Sequence, residues 1–350
     1  MSDPILNIAL WLRNYVFSLV EYFGKILGIP PSMYEYITGL IMFLIGFLAF
    51  GLDILFIVWM ERKVIGRIHN RRSVTETGPV GFFQNIADVV KLLVKEDIIP
   101  LGADRFFHDI LPPITAAVTL IPLVVIPFAP HFYVVRLSIS LLLAFGVMAL
   151  VPGLILLIGW AGGSKYTLLG GFRSGLQLIA YEIPLSLLLI SIVIVTRSLD
   201  LVTIVESQSH LWNIVRLPLG ALLFFIVGTM ELERAPFDIP EAEGEIVAGW
   251  RTEYPGIKFG LFYGTEYFHF FVTSSLFVTL FLGGWHGPLL PPLVWFLIKV
   301  HLVMILWIWV RLTFFRPRPD QLLRICFKYM IPLAFLNLLW AIGYVAFISY

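Results

Sequence analysis

The sequence predicts an all-α, polytopic membrane protein forming a single membrane domain over residues 1–350, and three observations carry that prediction. Hydrophobic residues make up 59% of the chain and charged residues only 13%, with a mean hydropathy of +0.90, far from the composition of a water-soluble domain. Apolar stretches of the length that crosses a bilayer, about 20 residues, recur along the whole chain. Lysine and arginine gather in every second connection between those stretches.

Taken in order, the first 30 residues lack the basic start and small-residue cleavage site of a signal peptide, so they are expected to remain in the mature protein. Asn7, Asn14, Ser18, Glu21 and Lys25 share one helical stripe. That pattern suits an amphipathic helix lying in the membrane interface, with a short spanning helix as the alternative. Eight spans follow: Ile37 to Met60, Ile110 to Phe128, Leu137 to Trp160, Leu178 to Thr196, Leu217 to Met230, Tyr267 to Leu282, Leu293 to Phe315 and Phe327 to Ile348. The fifth and sixth are short and border acidic residues, so counting them means accepting carboxyl groups within the hydrocarbon. The first connection, within residues 61–109, holds a second amphipathic stretch. Phe82, Phe83, Ile86, Val89, Val90 and Leu93 lie on one face and Gln84, Asp88, Lys91 and Lys95 on the other, a pattern suited to the membrane surface or to docking a soluble partner.

Of the 24 Lys and Arg residues, 17 fall in the odd-numbered connections and only Arg136, Arg197 and Arg216 in the even ones. This asymmetry places the odd loops in the cytoplasm and both termini outside a multi-pass cell inner membrane. A formal net charge of +1 leaves no global basic field for nucleic acid. The lone cysteine, Cys326, is too few for an iron–sulfur cluster, so any redox centre belongs to other chains.

Ionisable groups inside a membrane are costly and mark function. Here they are Asp53 in the first span, Glu182 in the fourth, Glu231 and Glu233 at the end of the fifth and Glu266 at the start of the sixth. All are expected in the cytoplasmic half of the bilayer, whereas the outer half offers little beyond Lys299 and His301. Such a distribution reads as an entrance or lateral relay for protons rather than a complete channel. The alternative is that these carboxylates pair with Arg62, Arg234 or Lys258 and fasten helices together. The connection at 231–266 stands apart, since it carries eight of the 23 acidic residues, with Pro236 and Pro240 stiffening it around Phe237. Glu266 and His269 form one Glu-x-x-His pair, but a di-iron bundle needs a second pair, so no metal site is assigned. Gly162–Gly163 and Gly170–Gly171 lack the spacing of a nucleotide-binding loop and are expected where backbones approach closely.

The run PFDIPEAEGEIVAGWRTEY within that connection resembles the loop between the fifth and sixth helices of the complex I membrane subunit that abuts the soluble arm, the H-type subunit. MERKVIGRI after the first span, IADVVKLLVKEDIIPLGADRF in the first loop, GWAGGSKYTLLGGFRS with AYEIP, and FRPRPDQLLR agree with the same family in order. The resemblance implies a subunit of a proton-translocating oxidoreductase that roofs the chamber where a lipid-soluble quinone is reduced. By similarity, Arg62, Arg234, Phe237, Asp238, Glu241, Glu243 and Glu245 line or adjoin that chamber. Asp53, Glu182, Glu231, Glu233 and Glu266 then constitute the proton path leading from it. The implied partners are peripheral-arm subunits carrying the terminal iron–sulfur cluster and antiporter-like membrane subunits, with no cofactor bound by this chain. Two departures stand out: Ser73 to Glu76 replace a Gly-Pro-Asn-Arg-like stretch, and Ala149 occupies a position where many relatives carry glutamate. An archaeal deazaflavin-dependent relative reducing a phenazine-type carrier accommodates the first departure, and a membrane-bound hydrogenase subunit is a further alternative.

Overall fold

The computed structural model describes residues 4–27, 30–130 and 132–348, and among them the chain is helical throughout, with a single isolated bridge between Ala129 and Phe132. Chain order runs α1 (Pro4–Leu27), α2 (Tyr34–Ile68), α3 (Gln84–Val94), α4 (Arg105–Leu120), α5 (Ser140–Met148), α6 (Val151–Ala161) and α7 (Lys165–Thr196). It continues with α8 (Leu201–Glu206), α9 (Asn213–Arg216), α10 (Pro218–Glu231), α11 (Glu243–Ile246), α12 (Gly256–Phe281), α13 (Pro292–Thr313), α14 (Pro319–Ile325) and α15 (Ile331–Ile348).

Six helical segments among the described residues are long and apolar enough to cross a membrane: Pro31–Ile68, Arg105–Val124, Ser140–Ala161, Lys165–Thr196, Pro292–Thr313 and Pro319–Phe347. They coincide with six of the eight spans expected from hydropathy. The other two places are taken by α10, an apolar helix of only 14 residues, and by α12, whose first half carries Lys258, Glu266 and His269. Both are helical as expected; α10 is set apart by its length, starting only after non-helical Leu217, and α12 by the polar residues it carries.

Local chemistry explains the boundaries. Asp104 caps α4 by accepting from the Phe107 amide, and Ser164 and Asp200 cap α7 and α8 in the same way. Pro292 and Pro319 sit in the first turns of α13 and α14, where a missing N–H leaves nothing unpaired. Between α14 and α15 the helix widens into a π turn at Cys326–Met330.

The core is centred on α12. From Phe270 to Phe281 every residue is buried, the pattern of a helix surrounded by others rather than lying at a surface. Phe270, Phe271 and Phe281 meet Phe224 of α10 and Phe296 of α13 among the largest fully buried side chains. The C-terminal end of α12 is closed by polar side chains that take up carbonyls there and in the turn that follows. Gln208 donates to Thr279 O, Asn213 to Leu280 O, and the Lys299 ammonium to Leu282 O, Gly284 O and His286 O at 2.6–3.0 Å. Lys299 is thus a capping cation.

The amphipathic helices meet the bundle in different ways. In α3 the apolar residues Ile86, Val89, Val90 and Leu93 face outward, while Asn85 is buried and donates to Leu55 O at 2.8 Å. In α1, Val16 and Val20 pack on Tyr34 and leave Trp11, Tyr15, Tyr22 and Phe23 exposed; Asn7 lies outside the residues whose side chains are described.

Candidate acidic cavity at one end of the bundle

The loop from Leu232 to Pro255 folds back over the start of α7, the end of α10 and the start of α12. Gly249 makes this possible, at φ +58 with its Cα against the Pro240 carbonyl, where a β-carbon would collide with that oxygen. Gly170 of α7 provides the second close approach, since a β-carbon there would lie 2.5 Å from the Trp250 amide nitrogen. The expectation of close backbone approach at Gly170 is met, and its partner is this loop.

Packed in this way, the loop completes a chain of alternating charges. Arg311 of α13 reaches Glu61 Oε1 at 2.5 Å, and Glu61 Oε2 accepts from Arg234 at 3.1 Å. Arg234 donates through Nε to Glu266 at 3.1 Å; Glu266 accepts from Arg251 at 3.2 Å, and Arg251 pairs with Glu241 at 2.5 Å. Three guanidinium groups and three carboxyl groups alternate, so each buried charge has a counter-group within reach. The Arg234 guanidinium also lies over the rings of Tyr267 and Phe270, at 4.9 and 4.2 Å, and Arg251 stacks on Trp250 at 4.6 Å, contacts that favour a desolvated cation.

A cavity of about 330 Å³ opens on this chain, lined by Glu61, Arg62, Glu241, Arg251, Glu266 and Arg311 together with Phe259, Tyr263 and Tyr267. Its walls combine fixed charge with aromatic faces. Behind it lies a smaller space of about 40 Å³ bordered by Glu231, Glu233, Arg251, Glu266 and His269, room for about one water molecule. Glu266 and Arg251 border both spaces and form the partition between them.

Electrostatics in the loop follow from this crowding. Burial pushes the Glu241 carboxyl up to about 8, against the pull of Arg251, and Glu266 and Glu233 reinforce the rise. Glu233 is raised by burial despite its hydrogen bond from Ser174, and its backbone is held at φ +50, a conformation few side chains adopt. Burial alone would lower Arg234, but Glu61 and Glu266 hold it well above the ordinary arginine range.

The structure brings Arg62, Arg234, Glu241 and Glu266 together, sets Glu231 and Glu233 beside the smaller space, and disperses the rest. Arg62 lines the cavity and pairs with Asp88 at 2.7 Å. Phe237 packs against the main apolar core, Asp238 is held by both ends of the Arg316 guanidinium at 2.5–2.6 Å, and Glu245 pairs with Arg173 at 2.5 Å. None of these three borders the cavity, and the side chain of Glu243 lies outside the described residues. Among the intramembrane acids, Glu231 is buried and faces His269 at 3.9 Å, which turns that histidine away from a pairing with Glu266. Glu182 is exposed on the outer face of α7 beside Ile183.

One expectation is corrected. The span boundaries read from hydropathy put Asp53 and His301 in opposite halves of the membrane, yet the two side chains touch at 3.3 Å and so share one depth. The reason is that α2 extends to Ile68, two turns beyond the apolar run, which shifts Asp53 toward the helix middle.

Glu61, Arg251 and Arg311 are central to the site, and the sequence reading does not single them out. A signal exists for each: Glu61 adjoins Arg62 in MERK, Arg251 falls within AGWRTEY, and Arg311 is a lone cation in the last turn of an apolar helix.

Comparison with known proteins bears on this geometry. A profile described as NADH dehydrogenase matches residues 40–342. The chain is 43% identical over 293 residues to the second H-type chain of NADH-quinone oxidoreductase from Syntrophobacter fumaroxidans, covering 81% of this chain and 88% of the relative. It is 41% identical over 294 residues to the corresponding second H-type chain from Rhizobium meliloti, covering 81% and 90%. It is 43% identical over 293 residues to the H-type chain of NADH-quinone oxidoreductase from Syntrophotalea carbinolica, covering 81% and 89%.

Proposed function

The chain belongs to the NADH dehydrogenase family as an H-type membrane subunit of complex I, a proton-translocating NADH-quinone oxidoreductase, and from that premise we propose that its acidic cavity forms the membrane-side wall of the quinone chamber. The observation that carries this reading is the alternating chain Arg311–Glu61–Arg234–Glu266–Arg251–Glu241, all but Arg234 bordering a cavity with aromatic walls. An uncharged carrier ring suits the aromatic walls of Phe259, Tyr263 and Tyr267, while its oxygens, which gain two electrons and two protons on reduction, suit the charged rim.

Electrons reach the carrier from iron–sulfur clusters held by peripheral-arm subunits, which cover the cavity from the cytoplasmic side. The residues of this chain respond to the resulting charge. Glu241, poised to exchange a proton near neutrality, supplies or senses protons at the carrier. The change passes through Arg251 and Glu266 to Glu231 and Glu233 in the inner space. Glu182, outward on α7, continues the path at the boundary with antiporter-like membrane subunits. The chain lies in the cell membrane with its odd loops cytoplasmic, its termini outside and α1 in the interface, and residues 61–109 and 231–266 are its two functional loops.

The test is to purify the native complex through a tag on this chain and identify its subunits and extracted lipids by mass spectrometry. Iron–sulfur and antiporter-like subunits with a bound quinone are the expected result. A hydrogenase large subunit, or the polypeptide alone, overturns the reading.

A further inference from the structure

Asp53 and His301 form a polar contact at the partly buried seam between α2 and α13, set apart from the acidic cavity. Asp53 precedes Glu61 by eight residues on α2 and His301 precedes Arg311 by ten on α13, which is about 12 and 15 Å along the two axes. The seam between these helices is therefore joined twice, by Glu61–Arg311 at the cavity and by Asp53–His301 deeper in the membrane.

Geometry limits the protonation of this deeper pair. His301 Nδ1 lies 2.8 Å from the Leu297 carbonyl oxygen, which can only accept, so Nδ1 carries a hydrogen. Nε2 is left facing Asp53 Oδ1 at 3.3 Å. With one proton between them the pair is neutral, whether written as imidazolium with carboxylate or as imidazole with carboxylic acid. Removing that proton leaves an uncompensated negative charge, and adding a second leaves a positive one, each unfavourable among apolar helices.

The contact is also incompletely satisfied. Asp53 Oδ2 and His301 Nε2 are both buried with no hydrogen-bond partner among the described residues. A helix staple would be expected to use these atoms in aligned hydrogen bonds; a site that passes a proton on needs one of them free. Around the pair, Phe56 covers the imidazole at 5.5 Å. Lys299, two residues away, turns to carbonyls at the C-terminal end of α12 and in the turn that follows, and His269 of α12 turns to Glu231. Glu61 and Arg311 are the charged pair that joins the same two helices.

We propose that Asp53 and His301 together hold one exchangeable proton within the membrane layer, loaded and emptied in response to charge at the Glu61–Arg311 end of the same seam. The proposal rests on the reading of the cavity as the place where carrier reduction alters charge. Loading adds one proton to the pair and emptying removes it; only O–H and N–H bonds form or break. The sign follows from electrostatics. Negative charge gained at the cavity holds the proton on the pair, and its neutralisation there releases the proton, because a deprotonated pair is anionic.

The experiment uses the intact complex in sealed vesicles, measuring protons translocated per carrier reduced, with subunit content verified by mass spectrometry. Asp53→Asn and His301→Gln are each expected to lower the ratio at least twofold, and the exchange Asp53→His with His301→Asp to recover it. A wild-type ratio in either single variant, or in an apolar double variant Asp53→Leu with His301→Leu, overturns the proposal and leaves the pair a packing contact. The unmutated complex supplies a readout independent of variant assembly. Its infrared difference spectrum on carrier reduction, with isotope-labelled histidine, is expected to contain a carboxyl band that shifts in D2O and a histidine band. Their absence overturns the proposal equally. Glu231→Gln measured in parallel separates the two readings: if it stops pumping while the pair variants pump fully, only the present inference fails, and if it too pumps fully, the acidic-path reading fails with it.

Discussion

Glu61 and Arg311 stand 250 residues apart in the chain and 2.5 Å apart in space. Arg311 is half-exposed to the cavity while the Glu61 side chain is 3% exposed, so the carboxylate is a buried hinge between Arg311 on one side and Arg234 on the other. It also borders the cavity and so links its rim to the buried Arg234.

Arg234 is the group on which that arrangement depends for stability. Replacing it with Met removes the cation from between two carboxylates while leaving both in place, and stripping one partner from a buried ion pair costs about 3–5 kcal/mol. The Arg234→Met chain should accumulate at a fraction of the wild-type amount in membranes and melt at lower temperature in detergent. Arg234→Lys should restore it only in part, because a compact ammonium lacks the planar guanidinium that reaches Glu61 through one nitrogen and Glu266 through another while stacking over Tyr267 and Phe270.

Glu241 gives a pH signature. Its carboxyl is raised to about 8 by burial, whereas in the unfolded chain it titrates in the ordinary range of about 4.3. Between those limits the folded protein binds more protons than the unfolded one, so this group's contribution to stability falls as pH rises through the window. Glu241→Gln should flatten that part of the stability–pH curve and be relatively more stable above pH 8. In the assembled complex, carrier reduction in the wild type should decline as pH rises past about 8, a limb the Gln variant lacks. An unchanged profile would remove Glu241 from the proton chemistry.

Glu231 tests the inner space. Glu231→Gln keeps the shape and removes the exchangeable proton, so proton pumping and coupled turnover should fall by about 100-fold, the lower end of what general acid–base groups contribute. Oxidation of the donor by artificial acceptors, which proceeds in partner subunits, should continue. Normal pumping in vesicles would show that Glu231 serves packing with His269 alone.

Gly170 tests the loop that completes the cavity. A Gly170→Val side chain would collide with the backbone of Gly249 and Trp250, and overpacking of this kind costs about 1–3 kcal/mol. The loop from Leu232 to Pro255 should then become susceptible to limited proteolysis at Arg251, with carrier reduction impaired while the spanning helices remain protected. Gly146→Val, where nothing lies within 4 Å of the added carbon, is the control expected to resist cleavage.

What the sequence determined by itself is the membrane character, the helical class, the position of six spans, and the family, because hydropathy and a long irregular motif are properties of contiguous residues. Arg62, Arg234, Glu241 and Glu266 were legible for the same reason, lying in or beside such motifs. The tertiary structure alone decided which carboxylate meets which cation. Glu61 finds partners 173 and 250 residues away, and Asp53 finds His301 across the chain, pairings no local pattern encodes. It also decided that Asp238 and Glu245 face Arg316 and Arg173 rather than the cavity. The physical reason is that burial of an apolar helix depends on its own composition, whereas burial of a charge is tolerated only where folding brings its counter-charge within reach.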